Sequence, residues 1–241
     1  MTIPTKPPDD PVRSVLLTGA NRGIGLEWCR QYAAAGWRVF ASCRHPEAAD
    51  ELHELARKHP RLTVHTLDVT RPESLAALRA ELQDEAIDVL VNNAGIYLEK
   101  YVHGESLRYA DWIETFTVNT LGPMRTTEAL LEPLARSTRR LVVNMSSHMG
   151  SIAEIAVPGD YYYRSSKAAL NAAMKGLSLS LREHGIGVLL LHPGWVKTRM
   201  GGEDAPLSPA ESVAAMRALV DRFGMDMNGR FFRYDGSEIP W

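Results

Sequence analysis

Seven apolar runs of strand length alternate with helix-patterned stretches along this chain, and that alternation most narrows what it can fold into. The runs lie at residues 15–17, 37–43, 62–67, 88–91, 141–145, 187–191 and 230–233. Between them, helical patterns are predicted at 25–35, 46–58, 72–83, 109–135, 161–183 and 208–223. Gly36 reads as a helix stop, and Pro46 and Pro209 as first-turn residues. The runs are unbroken rather than alternating apolar and polar. Such strands belong to a parallel sheet covered on both faces by right-handed crossovers. The predicted architecture is a single doubly wound α/β domain of about seven strands, spanning residues 12–241 with no internal repeat or linker.

Charge and cysteine usage narrow the function. The formal net charge of −2 gives no basic surplus for nucleic acid, and no basic amphipathic helix suggests a membrane surface. The longest apolar runs are far too short to span a bilayer. Cys29 and Cys43 form neither a disulfide framework nor a metal-ligand set, so no metal is expected. Residues 1–11 read as a loose polar leader without a secretory apolar segment, and a reducing cytoplasm is the expected compartment.

The first strand–helix junction reads Thr18, Gly19, Ala20, Asn21, Arg22, Gly23, Ile24, Gly25. In that position a glycine cluster is a dinucleotide loop: Gly19 for the tight turn, Gly23 for close approach to a pyrophosphate, Gly25 for helix–sheet packing. The helix N-terminus beyond it offers unpaired N–H groups and partial positive charge to phosphates. An NAD site usually carries a carboxylate at the end of the second strand. Here Ser42, Cys43 and Arg44 stand there instead. Arg44 suits a 2′-phosphate bidentately, and Arg22 is a second candidate cation, so NADP(H) is the expected cofactor. Each also reads as an ordinary solvated arginine.

Tyr161, Tyr162 and Tyr163 precede Lys167. Residues four apart on a helix differ by about 40° and residues five apart by about 140°. Only Tyr163 therefore shares the lysine's face. A phenol ordinarily ionises near pH 10. A neighbouring ammonium is expected to lower that and fit Tyr163 for proton transfer. Tyr161 and Tyr162 read as pocket wall or core.

Taken together, the chain resembles the short-chain dehydrogenase/reductase family over residues 13–241. The matching positions are 18–25, Asp68 with Val69, Asn92 to Gly95, Asn119, Ser146 with Ser147, Tyr163 with Lys167, and His192 to Thr198. The segments around 163–171, 191–202 and 229–241 most resemble the C-factor and sniffer-type carbonyl reductase branch. The resemblance implies a Rossmann-type domain and a catalytic set of Ser147, Tyr163, Lys167 and Asn119. It implies a cofactor held by Gly19, Asn21, Arg22, Gly23, Ile24, Arg44, Asp68, Val69, Asn93, Ala94, Gly95, Tyr163, Lys167, Pro193, Gly194, Val196 and Thr198. Asn119 would support a water-linked proton path, aided by a helix irregularity near Gly122 and Pro123 that frees a carbonyl. His148, Met149, Trp195 and Met200 are candidate substrate-pocket residues. The 150–160 stretch, longer than in many members, is expected to bulge over the site. Residues 199–207 resemble the mobile substrate loop, with Gly201 and Gly202 for flexibility.

The function implied is an NADP(H)-dependent carbonyl reductase or alcohol dehydrogenase acting on a small-molecule carbonyl or alcohol. The alternative is a nucleotide-binding, C-factor-like signalling protein in which turnover is secondary. A sugar-nucleotide epimerase would need a larger C-terminal substrate domain. A Ser–His hydrolase built on Ser147 and His148 would need a G-x-S-x-G elbow that is missing. A homodimer or homotetramer is expected through the helices around Asn119 and Lys167. The 234–241 tail should pack back on the body through Ile239 and Trp241.

Overall fold

The computed structural model describes residues 12–99 and 107–241; the expected leader at 1–11 lies outside the described residues. Seven parallel strands form one sheet in the order β3-β2-β1-β4-β5-β6-β7. They are β1 (Ser14–Thr18), β2 (Arg38–Cys43), β3 (Leu62–Thr66), β4 (Val89–Asn92), β5 (Leu141–Met145), β6 (Gly187–His192) and β7 (Phe231–Arg233). Neighbouring residues in a strand point to opposite faces. Thus Val15 and Leu17 enter one core with Trp28, Tyr32 and Met216, while Leu16 enters the other with Leu78, Leu170 and Met174. Both faces need apolar cover, which is why the strands read as unbroken runs.

The helices are α1 (Gly23–Ala34), α2 (Asp50–Lys58), α3 (Pro72–Glu81), α4 (Tyr109–Phe116), α5 (Gly122–Ala129), α6 (Leu131–Arg136), α7 (Tyr161–Arg182) and α8 (Pro209–Asp221). Two departures from the sequence reading have physical causes. Pro46 opens a short 3-10 turn, Pro46–Ala48, and α2 begins only at Asp50. The stretch expected to be one long helix is broken: a wide π turn, Thr117–Leu121, separates α4 from α5, and Leu130 separates α5 from α6. Pro123 then falls in the first turn of α5, where a missing N–H is tolerated. The last helix, α8, opens on a capping box between Ser208 and Glu211.

The tail does return to the body. Ile239 is buried and its N–H donates to Phe231 O at 2.9 Å, and Trp241 stacks on Phe231 with centroids 5.8 Å apart. Ala153 N–H donates to Trp241 O at 3.0 Å, and Arg233 pairs with Glu154, so this end of the chain anchors the 150–160 loop.

Candidate active site

In the order β3-β2-β1-β4-β5, the chain winds one way from β1 and the other way from β4. The loops after these strands diverge and leave a crevice at their carboxyl ends. The two loops are stitched together. Thr18 Oγ1 accepts the N–H groups of Asn93 and Ala94, each at 3.0 Å, and Asn93 Nδ2 donates to Thr18 O and Gly19 O. Gly19 adopts φ +65°, and a Cβ on Gly25 would lie 2.2 Å from Gly19 O. No side chain fits at Gly25, so the loop and the start of α1 stay close enough for backbone N–H groups to line the crevice. That cradle suits a pyrophosphate.

The cleft has a volume of about 890 Å³. Of the residues predicted to hold cofactor, Gly19, Asn21, Arg22, Gly23, Ile24, Arg44, Asp68, Val69, Asn93, Ala94, Gly95, Tyr163, Lys167, Pro193 and Thr198 all line it. Gly194 and Val196 do not; Val196 is buried beneath, its strand-like bridge to Leu207 shaping the segment that carries Thr198. Asp68 also closes a local turn, with Oδ1 accepting from Thr70 N–H at 2.9 Å and Thr70 Oγ1 at 2.7 Å.

The catalytic candidates converge at the mouth of β5 and the start of α7. Tyr163 is buried with Ser147 as the polar neighbour of its hydroxyl, and Ser147 caps the turn His148–Gly150. Lys167, one turn on, is also buried; its Nζ donates to Met145 O at 2.8 Å and lies 5.7 Å from the Tyr163 ring centroid. The expected lowering of the phenol pKa does not occur here. Burial pushes Tyr163 up to about 12, with only Ser147 opposing it, and burial pushes Lys167 down to about 8. The ammonium spends its hydrogen bond on a carbonyl rather than on the phenol.

Asn119 sits in the π turn. Its Oδ1 accepts Ile96 N–H at 2.8 Å, and its Nδ2 donates to Ile96 O at 2.9 Å and to Ser166 Oγ at 3.1 Å. The side chain thus ties the loop after β4 to α7. Pro123, four residues on, has no N–H to give the Asn119 carbonyl, which therefore lacks the donor an α-helix would supply.

Of the predicted pocket residues, Met200 lines the cleft. His148, Met149 and Trp195 do not. His148 turns against His192, with ring centroids 4.9 Å apart, and pairs with Glu154. Met149 lines a separate apolar hollow of about 380 Å³, with Trp112 and Tyr161, on the far side of α7. Trp195 is exposed and its Nε1 donates to Gly201 O at 2.8 Å. Tyr162 is core, its hydroxyl accepting Arg108 N–H. Ser146 lines the cleft and donates to Asn171 Oδ1 at 2.6 Å.

The sequence profile of the family described as short chain dehydrogenase matches residues 13–206. The chain belongs to the short-chain dehydrogenase family. Among its relatives, the C-signal of Myxococcus xanthus is 46% identical over 155 residues, covering 64% of this chain and 93% of that protein. Among solved structures, carbonyl reductase Sniffer of D. melanogaster superposes with a TM-score of 0.89 at 35% identity, covering 95% of this chain and 100% of that one. An NADPH-bound carbonyl reductase from chicken fatty liver gives 0.88 at 37% identity, covering 95% and 99%. The family and branch suggested by the motifs are thus borne out.

Several residues of this short-chain dehydrogenase's site escaped the sequence reading. Tyr97 stacks on Tyr163, with centroids 4.5 Å apart, and its hydroxyl donates to Asp160. Glu99 is buried and accepts Tyr163 N–H at 2.9 Å. Burial raises its pKa, while the N–H groups of Tyr163, Tyr162 and Tyr161 pull it back. Asn171, four residues beyond Lys167, takes Ser146 and donates to Gly150 O at 3.2 Å, fixing the turn that presents Ser147. Only Asn171 left a legible signal, by extending the helical spacing of Tyr163 and Lys167. Lys197 and Arg199 also line the cleft.

Proposed function

We propose that this short-chain dehydrogenase is an NADP(H)-dependent carbonyl reductase or alcohol dehydrogenase whose proton chemistry is carried by Tyr163. The observation that carries this reading is the convergence of Tyr163 and Lys167 with the glycine loop in one cleft, with the Ser147 side chain as the polar neighbour of the phenol. Two neighbouring hydroxyls meet a single carbonyl oxygen from two directions. The NADPH-bound carbonyl reductase of like fold supports the cofactor assignment, as do Arg22 and Arg44 in the cleft.

When bound, the nicotinamide supplies the hydride. The chain's own residues do the rest. Ser147 donates to the carbonyl oxygen and holds it beside Tyr163. Tyr163 gives that oxygen its proton. Its high pKa keeps it protonated at neutral pH, which suits the reductive direction. Lys167, poised near 8, restores the proton and orients the nicotinamide ribose. A water on the Asn119 carbonyl, to which Pro123 can give no N–H, would lead from Lys167 to solvent.

NADPH consumption against a panel of aldehydes, ketones and quinones, with NADH as control, tests the reading. Loss of all turnover with every carbonyl while NADPH still binds would count against it. The identity to C-signal favours one second reading, a signalling protein that needs bound nucleotide but not turnover. That reading requires the Tyr163→Phe protein to keep its biological effect.

The oligomer belongs to the same proposal: a homodimer or tetramer through α4 and α7, where Tyr109 and Ile113 are exposed apolar side chains. So does a reducing cytoplasmic setting, consistent with two free buried cysteines. No helix among the described residues is long and apolar enough to cross a membrane.

A further inference from the structure

The cation inventory of the cleft exceeds what a 2′-phosphate explains. Among the described residues lining it, Asp68 is the single carboxylate, set against Arg22, Arg44, Lys197, Arg199 and the buried Lys167. No ion pair among the described residues engages Arg22, Arg44 or Arg199. Like charges gather without carboxylate partners where an anion is to be received.

Arg199 enters this cluster from an unexpected direction. It lies on the segment after β6, in the stretch that resembles the substrate loop. That segment is built rather than loose. Lys197 N–H donates to Leu207 O at 2.8 Å, Gly202 N–H donates to Thr198 O at 2.8 Å, and Gly201 N–H donates to Thr198 Oγ1 at 3.0 Å. Thr198 is laid directly over the glycine loop: a Cβ on Gly23 would lie 3.4 Å from Thr198 Cγ2. Arg199, next to Thr198 in sequence, lines the same cleft as Arg22 and Arg44 and is carried there by the segment after β6 rather than by β2. The Arg22 guanidinium is held below its ordinary pKa by burial first, then by Arg199, then by Arg44.

We propose that Arg199 is a ligand of the cofactor's pyrophosphate, so that the diphosphate itself holds the 197–207 loop in place over the site. Arg44, at the end of β2, takes the 2′-phosphate; Arg199 takes the bridging phosphates; Arg22 stands between them. The substrate-side loop is thereby coupled to cofactor binding before any substrate arrives. The inference rests on the dinucleotide reading of the cleft and adds a division of labour among its arginines.

Equilibrium titration of the full chain with NADPH and NADH separates the alternatives. Arg199→Ala is expected to weaken both cofactors about tenfold and to leave their ratio unchanged. Arg44→Ala is expected to weaken NADPH alone. ADP should slow tryptic cleavage after Lys197 and Arg199 in the wild type, whereas adenosine should not. Unchanged affinities in Arg199→Ala overturn the proposal, as does a loss confined to NADPH, which would put Arg199 on the 2′-phosphate. Cleavage unaffected by ADP but slowed by NADPH overturns the coupling. A wild type that binds neither cofactor overturns the dinucleotide reading itself, a separate outcome from any of these.

Discussion

The buried carboxylate of Glu99 accepts the backbone N–H of Tyr163 from 64 residues away in sequence. It serves as the N-terminal cap of α7, because the local candidate does not. Asp160 stands at the cap position in a left-handed conformation, φ +55°, and gives its carboxylate to Tyr97. The helix that carries Tyr163 and Lys167 is thus held at its first turn by the loop after β4.

Removing that carboxylate leaves the Tyr163 N–H without its acceptor. Glu99→Ala is expected to cost about 0.5–2 kcal/mol of stability. It should also lower kcat more than it raises KM, since Tyr163 loses its register against Ser147. Denaturant unfolding beside steady-state kinetics measures both. Unchanged kcat in a less stable protein would show that the cap holds the helix but not the reaction.

Tyr163→Phe removes one hydroxyl from a packed ring. The expected loss of turnover is about 10²–10⁴-fold, with NADPH affinity retained. Tyr162→Phe should cost stability through the Arg108 contact, and Tyr161→Phe, at an exposed position, almost nothing. Equal losses at all three positions would remove Tyr163 from its role.

Arg44→Asp should reduce the preference for NADPH over NADH by about one to two decades, the worth of a charge-assisted hydrogen bond to phosphate. Direct titration of both cofactors reads the ratio. A ratio that does not move assigns the 2′-phosphate elsewhere.

Lys167 carries a sign that can be worked out. Its pKa in the fold is about 8, below the ordinary lysine value of 10.5. Between those values the unfolded chain binds the extra proton, so wild-type stability relative to Lys167→Met should rise as pH climbs from about 8 to 10.5. The rise is at most about 3 kcal/mol, and below pH 8 the relative stability should be flat. Over the same onset, reduction should slow as Lys167 loses the proton it passes on. Thermal melts and rates across pH 6–10 check the two together; a relative stability that falls over that window would contradict a lysine buried against its charge.

The sheet and the glycine loop were legible because they are written in local terms. Strand periodicity, helix stops and a glycine whose Cβ would strike Gly19 O all leave marks within a few residues. The break near Gly122 and Pro123 was legible as an irregularity, but the π turn that expresses it was not. Glu99 was illegible because its partners lie far along the chain and nothing beside it marks a cap. The side chains of His148 and Met149 were misplaced because sequence sets their distance from Ser147, not which side of the 3-10 turn they leave by. The phenol–ammonium pairing was overvalued for a related reason: spacing put Lys167 on the right face, while burial and Met145 O decided what its charge could do.

Pro123 is, by the ordinary measures of helix quality, a defect that a screen for thermal tolerance would correct first. Replacing it with alanine would give the Asn119 carbonyl a donor and let the helix run on. Each such improvement would close the opening through which the proposed proton path reaches water. Directed evolution of this chain for robustness and for turnover would therefore pull on the same residue in opposite directions, and variants selected for heat alone should drift toward inactivity at a position that never touches substrate.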